Sequence, residues 1–266
     1  MGMVLFSARI WGEGQVFPEY KHDFFKLNQQ VTVLKVATLD QAKAAVGSQA
    51  ELVIWIDARL SKDNVLYVLP PEMDKEFLNT KRSEQEANPE AQIMMGSKLS
   101  NYNWEQIKAF FPQISYLKDY LTELPNTRFV VNVVDNTHEV HAYVAQALGE
   151  LNPDSRILIQ SDTLVIMTSI KELKPQWLYG TATADLMRLL SFDSMWILPA
   201  VQFKGDVLIA PFTLLKRPAF NDAGIEEMRR RHKKIFIGPI ENTEQLSEAR
   251  RLKADGLIVN DLNILR

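Results

Sequence analysis

Eight short, nearly continuous apolar runs recur along the chain, each followed by a segment with helical spacing. They are Val4–Ala8, Leu52–Ile56, Phe129–Val134, Ile157–Ile159, Trp177–Tyr179, Val207–Ala210, Ile235–Ile237 and Gly256–Val259. A strand that is apolar at consecutive positions is buried on both faces, as in a parallel sheet covered by helices. Eight such units predict a closed (β/α)8 TIM barrel. An open doubly wound sheet reads similarly. The 266 residues match the roughly 250 that a barrel of this kind needs, so the chain reads as one domain over 1–266.

Helix starts support the alternation. Asn136-Thr137-His138-Glu139 and Asn242-Thr243-Glu244-Gln245 each place a capping residue three before a Glu or Gln, directly after a strand. Two apolar runs, Val31–Val36 and Trp196–Pro199, exceed the count of eight and read as excursions or accessory strands. Residues 70–103 are polar and punctuated by Pro70-Pro71 and Asn88-Pro89, which marks a surface insertion with a short helix near Met73–Asn79.

Composition narrows the chemistry. The chain lacks cysteine, which excludes disulfides, thiolate nucleophiles and zinc–cysteine sites. A net charge of −3, with both signs interspersed, offers no field for steering nucleic acid, so no nucleic-acid partner is expected. No apolar stretch reaches the roughly 18 residues of a spanning helix. Met1-Gly2-Met3 opens no secretory pattern, and a cytoplasmic location is expected.

Several segments, in order, bear on function. Ser7-Ala8-Arg9-Ile10 closes the first run, and Phe17-Pro18-Glu19-Tyr20 follows. Trp55-Ile56-Asp57 ends the second run, ahead of Ser61-Lys62-Asp63-Asn64 and Val68-Leu69-Pro70-Pro71. Leu117-Lys118-Asp119-Tyr120-Leu121 comes later, and Asp255-Gly256-Leu257-Ile258-Val259-Asn260-Asp261 lies near the end. This series resembles the glycerophosphodiester phosphodiesterase family over nearly the whole chain. Family members carry, in the same order, Ala-His-Arg-Gly, Pro-Glu-Asn-Thr, Glu-x-Asp, Thr-Lys-Asp-Gly, a strand ending His-Asp, Leu-Glu-Glu-Val-Leu and Asp-Gly-Ile-Ile-Thr-Asp.

The resemblance implies a divalent metal, Ca²⁺ or Mg²⁺, held by three carboxylates, with two histidines trading protons. Mapped residue by residue, most of these groups are replaced. The histidines fall on Ala8 and Pro70, and the Glu of Glu-x-Asp falls on Trp55, whose indole has no lone pair for a metal. The third carboxylate falls on Val134, or on Asn132 if the register slips by two. Asp57 alone remains as a metal ligand, and a hard cation wants several oxygens, so no cofactor is expected. Residues 55 and 57 share one face of their strand, which puts the Trp55 indole where the metal cage would be.

The remaining candidates each carry two readings. Asp57 either holds an ion or pairs with Arg9 or Arg59. Arg9 either contacts a phosphate or makes a structural ion pair. Glu19 serves the first loop of the active face or anchors it, and Asp261 faces the mouth or caps the tail. His138 and His141 are metal candidates or ordinary helix-start residues. Met228–Lys234 is a basic patch or a dipole-complementing helix end. Trp55, Trp177 and Tyr179 form a ligand floor or pack in the core.

The leading expectation is a non-catalytic relative of this family that retains a site for a phosphate-containing small molecule at the barrel mouth. The alternatives are an active phosphodiesterase in which Arg9, Glu19, Asp57, His138 and Asp261 converge, and an interaction module using 70–103 or Trp196–Pro199.

Overall fold

The computed structural model describes residues 2–19, 21–25, 30–48, 51–73, 77, 79, 99–137, 139–151 and 153–265. Its strands are β1 (Val31–Lys35), β2 (Val53–Leu60), β3 (Leu66–Val68), β4 (Arg128–Val133), β5 (Ile157–Gln160), β6 (Leu178–Tyr179), β7 (Val207–Ala210), β8 (Thr213–Leu214), β9 (Arg217–Pro218), β10 (Lys234–Ile240) and β11 (Gly256–Val259). Eight of them are parallel, in the order β6-β5-β4-β2-β1-β11-β10-β7. Helices α1 (Gly2–Glu13), α2 (Leu39–Ser48), α3 (Trp104–Phe110), α4 (Leu117–Glu123), α5 (Val140–Gly149), α6 (Leu164–Leu173), α7 (Thr183–Ser194), α8 (Asp222–Arg230) and α9 (Thr243–Arg251) accompany them. The expected (β/α)8 barrel is what the chain forms.

One strand assignment is corrected. Val4–Ala8 is not the first strand but lies within α1, and Val31–Val36, read as an excursion or accessory strand, supplies β1. β1 pairs with β11 on one side and β2 on the other. The run at Val4 continues through Ile10 and Trp11, and the helix spans three turns before it ends at Glu13. Val31–Lys35 is bounded and β-rich, and only it fills the gap in the ring. Trp196–Pro199 is an excursion as expected, leading into a short 3-10 turn at Leu198–Ala200.

Alternation along the strands divides the apolar side chains into two layers. Val31, Val33, Val53, Trp55, Val130, Leu158, Leu178, Val207, Ile209, Phe236 and Ile258 face inward and fill the lumen. Ile54, Ile56, Phe129, Val131, Ile157, Ile159, Leu208, Ile235 and Leu257 face the helices. A 3-10 turn at Asp23–Phe25 closes the N-terminal end of the barrel. There Phe24 is fully buried, Phe25 meets Phe236 edge-on at 6.1 Å, and Arg128 Nη1 donates to the Phe24 carbonyl at 2.8 Å.

The ring closes between β6 and β7 with help from side chains. The Asp206 N–H donates to the Tyr179 carbonyl at 2.7 Å, and the Tyr179 N–H donates to Asp206 Oδ2 at 3.1 Å. One residue pair further on, Thr181 Oγ1 donates to the Val207 carbonyl at 2.8 Å and accepts from the Ile209 N–H at 2.9 Å. A Cβ on Gly205 would lie 2.3 Å from the Gly180 carbonyl oxygen, so the close approach here requires glycine.

β3 returns antiparallel on β2 as the hairpin after Asp57, and Asn64 turns it at φ 63°. The expected insertion at 70–103 and its helix lie largely outside the described residues. The described part of this side carries a satellite core of Tyr67, Leu69, Phe77, Leu99, Trp104, Ile107, Phe111 and Ile114. Asn242 caps α9 as read, its Oδ1 accepting from the Gln245 N–H at 2.9 Å. Asn136 does not cap α5. That helix begins at Val140, after Glu139 in a left-handed conformation.

Candidate functional site

The C-terminal ends of the strands form the mouth of a barrel, where active groups concentrate in this architecture. Above the apolar lumen, inward positions turn polar: Lys35 on β1, Trp55 and Asp57 on β2, Asn132 on β4 and Gln160 on β5. Trp55 and Lys35 are cross-strand partners, and the Lys35 ammonium lies 5.5 Å from the indole centroid. Asp57 and Asn132 are partners on the next pair of strands.

Asp57 is buried, and its Oδ1 accepts from the Trp55 indole N–H at 3.0 Å and from Asn132 Nδ2 at 2.6 Å. Burying a carboxylate is unfavourable unless it is hydrogen-bonded, and two neutral donors meet that need here. The expected pairing of Asp57 with Arg9 or Arg59 is therefore corrected. Arg59 instead donates through Nη1 to Asp135 at 3.2 Å and through Nε to the Leu69 carbonyl at 3.0 Å. Asp135 Oδ2 also accepts from the Leu60 N–H at 3.0 Å, so this ion pair ties β2 to the end of β4. Gln160 is likewise engaged. Its amide accepts from the Thr181 N–H at 3.0 Å and donates to the Thr181 carbonyl at 2.9 Å, extending the ladder beyond β6.

Other candidates lie elsewhere. Arg9 is on α1, outside the barrel, where it pairs with Glu13 at 2.7 Å and stacks on Trp196 at 4.1 Å. Ala8 lies on the same helix, outside the barrel, so it does not stand at the mouth. Glu19 lines a cavity of about 640 Å³ with His22, Asp23, Lys234 and Asp255, at the N-terminal end opposite the mouth. Asp261 is exposed and caps the tail, accepting from the Asn263 N–H at 2.9 Å. His138 lies outside the described residues. Arg9, Glu19, Asp57 and Asp261 thus do not converge on one point.

Pro70 follows Leu69, whose N–H donates to the Asp57 carbonyl at 2.9 Å, so this replaced position does border the site. Val134 continues β4, its N–H donating to the Ala58 carbonyl at 3.1 Å. The aromatic floor does not exist, because Trp177 and Tyr179 face the helices while Trp55 faces the lumen. Their polar atoms are bonded locally, Trp177 Nε1 to Asp154 and Tyr179 Oη to the Lys174 carbonyl, both at 2.7 Å. The basic run is structural too. Arg231 bonds Glu227, Val201 and Pro199, and Arg230 bonds Glu227, Gly12 and Gln15.

The residues at the mouth do not fit a divalent cation. Asp57 is the one carboxylate among Lys35, Trp55, Asn132 and Gln160, its Oδ1 already accepts two hydrogen bonds, Trp55 offers no lone pair, and Ca²⁺ or Mg²⁺ needs several oxygen ligands. Among the described residues no group of three or more His, Asp or Glu side chains is placed to hold a metal. Sequence reading missed Lys35 and Gln160. The Val-Thr-Val-Leu-Lys alternation of β1 was the available signal for Lys35.

No family model and no curated protein matches the sequence. Many solved structures match the fold. A Galdieria sulphuraria structure, provisionally assigned as a glycerophosphodiester phosphodiesterase, superposes with a TM-score of 0.66 at 11% identity, covering 90% of this chain and 97% of that one. The glycerophosphoryl diester phosphodiesterase domain of a Mycobacterium tuberculosis protein gives 0.63 at 12% identity, with 88% and 96% covered. An Oleispira antarctica phosphodiesterase in complex with its product sn-glycerol-3-phosphate gives 0.59 at 12% identity, with 90% and 96% covered. At these identities the likeness establishes a shared barrel fold. Among the described residues no helix is long and apolar enough to cross a membrane.

Proposed function

We propose that this barrel binds a phosphate-bearing small molecule at its mouth and does not hydrolyse it. The supporting observation is the double hydrogen bond into Asp57 Oδ1 from Trp55 and Asn132. A carboxylate oxygen held by an indole and an amide is a hydrogen-bonded structural acceptor. A cation reaching that oxygen would have to displace one of the two donors. Pro70 stands where the resemblance implies a proton-transferring histidine, and no proton can be moved there. The half-buried Lys35 ammonium contributes positive charge in the same layer. A lysine holds phosphate as a point charge without any metal. The ligand class follows from this chemistry and from the product bound by the Oleispira relative in fold.

The test is thermal denaturation with sn-glycerol 3-phosphate and glycerophosphocholine in excess chelator. A ligand that binds only the native state raises the midpoint, by about 2.7 kcal/mol of stability at one hundred times Kd. The rise is expected with chelator present, unchanged by added Ca²⁺, and absent in Lys35→Ala. Release of glycerol 3-phosphate from glycerophosphocholine at a rate that climbs with Ca²⁺ or Mg²⁺, and that Asp57→Ala abolishes, would overturn the reading.

A further inference from the structure

Helix α1 is docked on the barrel by one stripe and exposes a second, apolar one. Its inner stripe is Leu5, Ala8, Arg9 and Gly12. Gly12 is buried so tightly that a Cβ there would sit 2.3 Å from the Pro199 backbone. The outer stripe is Met3, Val4, Phe6, Ser7, Ile10 and Trp11, whose apolar members are 53% to 83% exposed. Residues spaced three and four apart share a helix face, so these side chains form one surface. Arg9 links that surface to exposed Met195 and Trp196, because its guanidinium lies 4.1 Å from the Trp196 ring and its Nη1 donates to the Trp196 carbonyl at 3.1 Å.

From this surface we infer that the protein associates with a second copy of itself through α1, with Trp196 at the edge of the contact. Three observations select that occupant. The exposed parts of these side chains amount to roughly 700 Å², close to the ~800 Å² that each partner contributes to a specific interface and above the usual apolar patch on a monomer. The stripe carries no charge, so it demands no complementary partner and can face its own copy across a two-fold axis. Its one polar member is Ser7, whose hydroxyl already donates to the Met3 carbonyl at 2.9 Å, so covering it strands no hydrogen-bonding group. The rim argues against a bilayer. Glu13, Asp193 and Glu226 border the groove beside α1, and Arg9 is already paired with Glu13. An anionic membrane surface would repel such an edge.

Sedimentation velocity of the full chain between about 1 and 100 μM is expected to show a reversible monomer–dimer equilibrium. Ile10→Glu and Trp11→Glu, made separately, should each raise the dimer Kd by about 30-fold or more, since each buries a charge at the centre of the contact. Val165→Glu replaces an equally exposed apolar residue on α6 and should leave the dimer intact. Circular dichroism of all three should match the unaltered protein. A monomer at every concentration, or a dimer that survives both substitutions in α1, would overturn the inference. Cosedimentation of a monomer with phosphatidylcholine–phosphatidylglycerol vesicles would also overturn it and give the face to lipid.

Discussion

Replacing Thr181 by valine removes one hydroxyl from the seam between β6 and β7 while keeping the shape of the side chain. Thr181 is 2% exposed, and its Oγ1 serves two backbone groups at once, the Val207 carbonyl at 2.8 Å and the Ile209 N–H at 2.9 Å. Valine makes neither bond and leaves both groups buried without that partner. Each such loss costs about 1–3 kcal/mol, so the pair costs about 2–6 kcal/mol. For a domain of this size that corresponds to a fall in melting temperature of about 4–24 °C. Serine keeps the hydroxyl and loses one buried methyl, and Thr181→Ser should cost only about 1 kcal/mol. Calorimetry and urea midpoints measure the two variants, and hydrogen exchange at the Ile209 amide locates the effect. If Thr181→Val is within about 0.5 kcal/mol of the unaltered protein, or Thr181→Ser is as damaging as valine, the seam is held by something else.

Gly205→Ala should destabilise by at least about 2 kcal/mol in urea titrations, because the added Cβ meets the Gly180 backbone, which cannot move aside cheaply. Unchanged stability would mean that the seam yields. Arg231→Met should cost about 3–5 kcal/mol, since its buried guanidinium bonds Glu227 at 2.6 Å, Val201 at 2.7 Å and Pro199 at 2.9 Å. A variant as stable as its parent would refute that assignment. Burial pushes the Asp63 carboxyl up, but hydrogen bonds from Ser61, the Trp104 N–H and its own backbone outweigh this and hold it below the ordinary value. A depressed carboxylate contributes stability above its unfolded value of about 3.9, and that contribution is lost as pH falls through the lower folded value. Asp63→Asn should therefore melt below the unaltered protein at pH 7, and the difference should close on acidification to about pH 2. A constant difference across that range would sink the reading.

The barrel was legible because strands such as β5 and β4 are buried on both faces, and that condition writes itself as consecutive apolar residues. It misled at the N-terminus for the same reason. Val4–Ala8 and Val31–Val36 are both short apolar runs, and five residues cannot separate a strand from part of a helix. The reach of the first run, whose apolar residues recur as far as Ile10 and Trp11, was the better guide. That one displacement moved Arg9 and Glu19 away from the mouth and hid Lys35. Trp55 facing the lumen with Asp57 followed from strand parity alone. The partners of Asp57 did not, because Asn132 lies 75 residues away and meets it only once the register of β2 and β4 is fixed. The seam was illegible for a similar reason, since nothing local marks Thr181 or Asp206 as backbone mimics.

Phe24 and Phe25 give the barrel a stopper, and the inward side chains up to Trp55 fill the lumen above them, so the mouth is a cul-de-sac. Anything that enters at the strand ends must back out by the same doorway. On the proposed function, only the leading end of a long guest would be gripped, while its remainder trailed in water. Selectivity at such a doorway would then fall on the head of the molecule, whatever the length of its tail.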